Sequence, residues 1–176
     1  MKTNVALIGF MGTGKTAVGQ LLSRKLKKQF IELDRLIEQR AGKSIPEIFK
    51  EQGEIAFREL EIEATREAAA RQNAVIACGG GVVLNRINID RLRESSKIVY
   101  LTASPGTILA RTSNTGDERP LLNVHDQALR IRELLKFRRP FYERAADITV
   151  NTTKLDIESV AEKIIDRLKE DEDINF

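Results

Sequence analysis

The residues best suited to chemistry begin with Gly9-Phe10-Met11-Gly12-Thr13-Gly14-Lys15-Thr16, which satisfies G-x-x-x-x-G-K-[ST], the phosphate-binding P-loop pattern. Its glycines let the backbone turn sharply and aim N–H groups at an anion. A helix starting near Lys15 would bring its unpaired N–H groups and its dipole to the same point. Lys15 supplies a cation for the β/γ-phosphates. Thr16 supplies a hydroxyl for Mg²⁺, a hard ion that takes oxygen ligands. So short a pattern also arises by chance, and its surroundings give it weight. Val5-Ala6-Leu7-Ile8 reads as a buried strand, and Val18, Leu21, Leu22 and Leu26 follow with helical spacing.

Five further groups invite a chemical reading, most of them beside a plainer one. Glu32-Leu33-Asp34 puts two carboxylates on one face of an extended segment, fit to hold a Mg²⁺-bound water and a substrate hydroxyl. Asp34 would equally serve as the N-cap of the next helix. Gly79-Gly80-Gly81 leaves bare backbone that a ligand can approach, or forms only a strand-to-helix turn. Arg58 lies between Glu54 and Glu61 at helical spacing, either as a salt-bridged surface or as an arginine held by Glu61 and aimed at a carboxylate. Arg138-Arg139-Pro140-Phe141-Tyr142 offers a second such arginine, or cations offsetting a helix dipole. Arg119-Pro120-Leu121-Leu122 lies in a polar stretch, about 112–125, long enough for a mobile lid whose arginine could swing over a γ-phosphate. Cys78 has no visible partner base and reads as a small buried apolar residue. His125, the only histidine, belongs to a helix start.

Strand and helix signals alternate, which predicts an α/β fold with a mainly parallel sheet. Strands are expected at Val5–Ile8, Phe30–Leu33, Ala74–Cys78, Ile98–Leu101 and Ile148–Val150. The second should end at Asp34. A helix runs on through Ile37. Ser44-Ile45-Pro46-Glu47 has capping-box spacing and opens a short helix carrying Phe49, which Gly53 breaks. A longer helix covers about Glu54–Arg71. Ser104-Pro105 caps a helix holding Arg111, and Asp126 caps a long one to about Ala146 that Pro140 kinks or splits. Ile157, Val160, Ala161, Ile164, Ile165 and Leu168 mark the last helix. Glu170–Asp173 is expected to be a solvated, frayed end. Ligands of an open parallel sheet bind beyond the carboxyl ends of its strands, where these groups converge.

At 176 residues one domain is expected. Lys+Arg 29 against Asp+Glu 26 leaves +3, which suits an anionic ligand but shows no basic block for nucleic acid. One cysteine excludes an internal disulfide and points to an intracellular, cytoplasmic setting. No apolar run approaches the roughly 20 residues of a membrane span. The Val5–Met11 run merges into the P-loop, so it is not read as a signal peptide.

The ordered set of motifs, from Val5 to about Leu168, resembles the shikimate kinase family. Gly9–Thr16 resembles its P-loop, Asp34 its substrate-binding aspartate, and Phe57-Arg58-Glu59-Leu60-Glu61 its Phe-Arg-x-x-Glu motif. Gly79–Gly81 resembles its glycine triplet, Arg119–Leu122 its lid motif, and Arg138 its second carboxylate-binding arginine. The resemblance implies ATP-dependent phosphorylation of the 3-hydroxyl of shikimate in aromatic amino-acid biosynthesis, with Mg²⁺. It implies a three-layer nucleoside monophosphate kinase-like fold with a five-stranded parallel sheet, order 2-3-1-4-5, a shikimate-binding helical region at about 34–62, and a monomer. Lys15, Asp34 and Arg119 would be catalytic. Gly12, Thr13, Gly14, Lys15, Thr16 and Ala17 would hold phosphates, with Arg111, Arg119 and Asn151 also on the nucleotide. Asp34, Phe49, Phe57, Arg58, Glu61, Gly79, Gly80, Gly81 and Arg138 would bind shikimate. Thr16 would ligate Mg²⁺, and Glu32 would reach it through water. The family commonly has aspartate at Glu32, and often a proline near Asp156 or Ile157. Two other readings stand beside this one: a different small-molecule P-loop kinase, such as one for gluconate, and a nucleotide-binding module without turnover.

Overall fold

The computed structural model describes residues 1–114, 120–122 and 125–175. Five strands, β1 (Asn4–Ile8), β2 (Gln29–Glu32), β3 (Ala74–Ala77), β4 (Ser96–Thr102) and β5 (Ile148–Asn151), form one parallel sheet in the order β2-β3-β1-β4-β5. Seven helices connect and cover it among the described residues: α1 (Lys15–Leu26), α2 (Leu33–Ala41), α3 (Ile45–Ala69), α4 (Arg86–Ser95), α5 (Pro105–Ser113), α6 (Gln127–Ala145) and α7 (Ile157–Lys169). None of them is long and apolar enough to cross a membrane.

Side chains of successive strand residues face opposite ways, so each central strand feeds two cores. Ala6 and Ile8 of β1, with Ile98 and Tyr100 of β4, pack with Leu33, Ile37, Phe57, Leu92 and Tyr142. Val5, Leu7, Val99 and Leu101 pack on the other face with Val18, Leu22, Val160, Ile164 and Leu168. This is why both strands read as unbroken apolar runs rather than alternating ones. A smaller cluster of Phe10, Ile108, Leu122, Ile131 and Leu135 joins the P-loop to α5 and α6.

Several expectations are met closely. Ser44 and Glu47 form a reciprocal capping box, with Glu47 Oε2 accepting from Ser44 N at 2.8 Å. Gly53 sits at φ 83 and bends α3 into two pieces there. Asp126 caps α6 through the Leu129 N–H, at 3.0 Å.

Others need correction. The second strand stops at Glu32, and Leu33 already belongs to α2. Asp34 is therefore not the N-cap. It lies in the first helical turn, where its charge still favours the dipole. Pro140 neither splits nor ends α6, which runs through it to Ala145. Burial of Tyr142 and Ala145 beyond the proline holds that last segment in place. Helix α4 was not anticipated, because only Ile89 and Leu92 give it an apolar face. The acidic tail is docked rather than frayed. Lys2 pairs with Ile174, Asn175 N donates to Lys2 O at 2.8 Å, and Asp171 meets the mostly buried Lys97 at 2.7 Å.

Candidate active site

The P-loop closes the gap between β1 and α1. Gly9, Gly12 and Gly14 all have positive φ, and a Cβ at Gly9 would lie 2.4 Å from the Leu101 carbonyl oxygen. Gly14 is also the residue from which α1 begins, so the first helical N–H groups open toward the loop. Lys15 Nζ curls back to donate to the carbonyls of Gly9, at 2.7 Å, and Phe10, at 2.9 Å. Thr13 is buried and bonds the Phe10 carbonyl, bracing the turn from inside. Thr16 Oγ1 donates to Glu32 Oε1 at 2.9 Å, while Arg35 Nε holds Glu32 Oε2 at 3.2 Å.

A hollow of about 260 Å³ over this loop is lined by Gly12, Gly14, Lys15, Thr16 and Ala17. A larger cleft of about 690 Å³ adjoins it, lined by Asp34, Phe49, Phe57, Arg58, Glu61 and Arg138 among others. The two share Met11, Thr16, Glu32, Asp34, Gly79 and Gly80. Residues from the ends of β1, β2 and β3 thus meet at one point above the sheet.

The larger cleft is organised around buried charge. Arg58 Nη1 meets Glu61 Oε1 at 2.9 Å, its Nη2 meets Glu54 Oε1 at 3.2 Å, and its guanidinium lies 5.1 Å from the Phe57 ring centroid. Phe49 leans on Phe57 with centroids 4.8 Å apart. Burial raises the Glu61 carboxyl above the usual range, with Arg58 pulling the other way. Arg138 is only 2 % exposed, with its guanidinium 5.7 Å from the Phe10 ring. Arg58 Nε, Arg138 Nε and Glu61 Oε2 are buried without a hydrogen-bond partner among the described residues. Orphaned polar atoms are rare in folded proteins, and three in one cleft point to a polar ligand that completes them.

The glycine triplet is shaped by these charges. A Cβ at Gly81 would lie 2.2 Å from Arg58 Nη1. One at Gly79 would lie 3.0 Å from Glu61 Oε2 and 3.1 Å from Asp34 Oδ1. Gly79 and Gly81 are therefore small because neighbouring side chains occupy the space, whereas a Cβ at Gly80 would meet only ordinary contacts at 3.5 Å.

Not every expected residue gathers here. Arg111 Nη1 donates to the Gly12 carbonyl and to Thr152 Oγ1, both at 3.1 Å, so it braces the back of the P-loop. Asn151 lines neither compartment, and its Oδ1 accepts from Thr153 N. Arg119 and much of the expected lid lie outside the described residues, although Pro120 and Leu121 line the larger cleft. Cys78 is buried, and its thiol is pushed well above the ordinary range by desolvation, which suits packing rather than attack. Two residues were undervalued in sequence. Thr152 is 2 % exposed and lies 3.1 Å from the Thr13 carbonyl. Tyr142 donates to the Gly80 carbonyl, and only its place one turn after Arg138 hinted at this.

A P-loop at the end of β1, the strand order 2-3-1-4-5 and a second, polar cleft beside the loop define a P-loop kinase fold. A gluconokinase from Sinorhizobium meliloti has the same fold at 17% identity, with TM-score 0.62 over 96% of this chain and 92% of that one. The family is narrower. The sequence model for "Shikimate kinase" matches residues 11–169, and the chain belongs to the shikimate kinase family. A shikimate kinase from Caldanaerobacter subterraneus is 51% identical over 92% of this chain and 94% of its own. One from Thermus thermophilus is 45% identical over 94% and 90%. The solved shikimate kinase from Acinetobacter baumannii, in complex with shikimate, is 34% identical with TM-score 0.93, covering 98% of this chain and 96% of that one.

Proposed function

We propose that this protein transfers the γ-phosphoryl group of ATP to the 3-hydroxyl of shikimate, giving shikimate 3-phosphate and ADP for aromatic amino-acid biosynthesis. Family membership supports the reaction. The observation that carries the site is the junction of a P-loop hollow with a cleft holding two buried guanidiniums, Asp34 and unsatisfied polar atoms.

In this reading the backbone of Gly12–Ala17 cradles the phosphates. Lys15 exchanges its loop carbonyls for phosphoryl oxygens, and Arg119 closes from the lid over the same charge. Arg111 fixes the loop from behind, and the Asn151 region flanks the adenine. Arg58 and Arg138 take the acceptor's carboxylate through their planar forks. Glu61 holds Arg58, and Phe49 and Phe57 wall the ring. Asp34 orients the reacting hydroxyl and accepts its proton. Gly79–Gly81 supply backbone N–H groups. Three fixed points on a small rigid acid are the source of effective molarity here, since phosphoryl transfer rests on positioning and charge stabilisation.

Thr16 Oγ1 and Glu32 Oε1, 2.9 Å apart at the shared wall, are the hard oxygen donors Mg²⁺ prefers. Mg²⁺ is usually bound through one or two protein oxygens together with substrate phosphates, so the ion would arrive with the nucleotide. Thr16 would bind it, Glu32 would hold one of its waters, and the ion would offset phosphate charge during transfer.

A coupled ADP-release assay with shikimate and with gluconate tests the reading. Turnover of shikimate alone is expected. Turnover of gluconate alone would move the protein to the other kinase class, and ATP binding without turnover would make it a nucleotide-binding module.

A further inference from the structure

Tyr142 is among the largest fully buried side chains, and no role above uses it. Its ring stacks on Tyr100, with centroids 4.9 Å apart and planes at 19°. Its hydroxyl donates to the Gly80 carbonyl, and the guanidinium of Arg138, one turn earlier on α6, faces the phenol oxygen. Burial raises the phenol well above its ordinary value, so the hydroxyl remains a donor across the working pH range.

A run of three glycines has no side chains to resist rotation of its peptide planes. The Val82 N–H closes a turn on the Gly79 carbonyl at 3.1 Å, and within that turn the carbonyl of the central glycine is held by Tyr142. In a trans peptide the carbonyl of one residue and the N–H of the next point in opposite directions. With the Gly80 carbonyl turned toward α6, the Gly81 N–H is turned away from it, on the side of the acceptor cleft that both glycines line. We propose that Tyr142 is a positioning residue for the acceptor: its hydroxyl clamps the Gly80–Gly81 peptide to α6, so that the Gly81 N–H and the Arg138 guanidinium are presented together to one bound molecule. The inference rests on reading this cleft as the shikimate site. It assigns the hydroxyl a function beyond filling the core, because the ring and its stack on Tyr100 would pack as well without it.

Tyr142→Phe separates the two roles, since it keeps the ring and deletes only the hydroxyl. The KM for shikimate is expected to rise about tenfold, equivalent to about 1.4 kcal/mol, with the KM for ATP within about twofold of wild type. A purely structural hydroxyl would lower the melting temperature and leave both KM values alone. In ¹⁵N-glycine-labelled protein, shikimate should shift the Gly81 amide proton downfield while Gly106, on α5, stays fixed. Tyr142→Phe should lose that shift. An unchanged shikimate KM in the folded variant overturns the proposal, as does a wild-type Gly81 resonance that ignores shikimate; the latter decides the matter even if the variant fails to fold. Wild-type protein inactive toward shikimate would instead remove the functional reading on which the proposal stands.

Discussion

Substituting each glycine of the triplet by alanine should weaken acceptor binding in a fixed order. Gly81 has φ −101, so alanine strains no backbone there, and the whole effect comes from its Cβ. That atom would lie 2.2 Å from Arg58 Nη1 and 2.5 Å from Cζ, and the guanidinium must move. It is held on the other side by Glu61 and stacked on Phe57, so moving it breaks both contacts. A charged hydrogen bond to the acceptor's carboxylate contributes about 1.5–3 kcal/mol, which converts to a roughly 10- to 150-fold rise in shikimate KM for Gly81→Ala. Gly79→Ala meets two carboxylate oxygens at 3.0 and 3.1 Å, contacts that a few tenths of an ångström relieve, and should cost only a few-fold. Gly80→Ala finds its nearest neighbours at 3.5 Å, ordinary contact, and should change KM least. Because the buried Arg58–Glu61 pair is disturbed, the melting temperature should fall more for Gly81→Ala than for the other two variants. The assay is steady-state turnover against shikimate at saturating ATP, with thermal melts as control. A Gly81→Ala enzyme with wild-type shikimate KM, or a Gly80→Ala enzyme more impaired than Gly81→Ala, would refute the steric argument.

Lys15→Ala should lower kcat by at least about 10²-fold, the scale of a lost transition-state charge contact, and single-turnover rates would check it. Cys78 should react with a thiol reagent at least about 10²-fold more slowly in native than in urea-unfolded protein, because its thiol is buried and its ionisation suppressed. The Lys97 ion pair lowers the pKa of Asp171 in the folded state, so its stabilising effect is present above the ordinary value of 3.8 and is lost as pH falls through the depressed one. Asp171→Asn should therefore melt earlier than wild type at pH 7, and the gap should close as pH drops below about 3.8.

What sequence made visible were features whose causes are local. The P-loop's glycines, the Ser44–Glu47 box and the kink at Gly53 each follow from backbone preferences within a few residues. The same holds for the unbroken apolar runs of β1 and β4. Arg58, Glu61, Asp34 and Gly81 stood out singly, and only the packing of α3 against the strand ends shows why Gly81 must be small. The parts that escaped depend on distant partners. Helix α4 lacks a full apolar stripe and is held by its packing on α3 and β4. The acidic tail reads as solvated until Lys97 and Lys2, from β4 and the start of the chain, supply its partners. Tyr142 looked like one aromatic in a basic stretch, because its hydrogen-bond acceptor lies 62 residues earlier.

The pairing of Lys2 with Ile174 and Asn175 has a practical reach. It ties both extremities of the fold at the starting edge of the sheet, whereas phosphate and acceptor gather where the strands finish. β1 alone, at five residues, separates these edges by roughly 17 Å. A reporter spliced beyond either extremity would hang beneath the enzyme, clear of traffic into the cleft. A short bridge joining the two would close the polypeptide into a ring without redrawing the sheet.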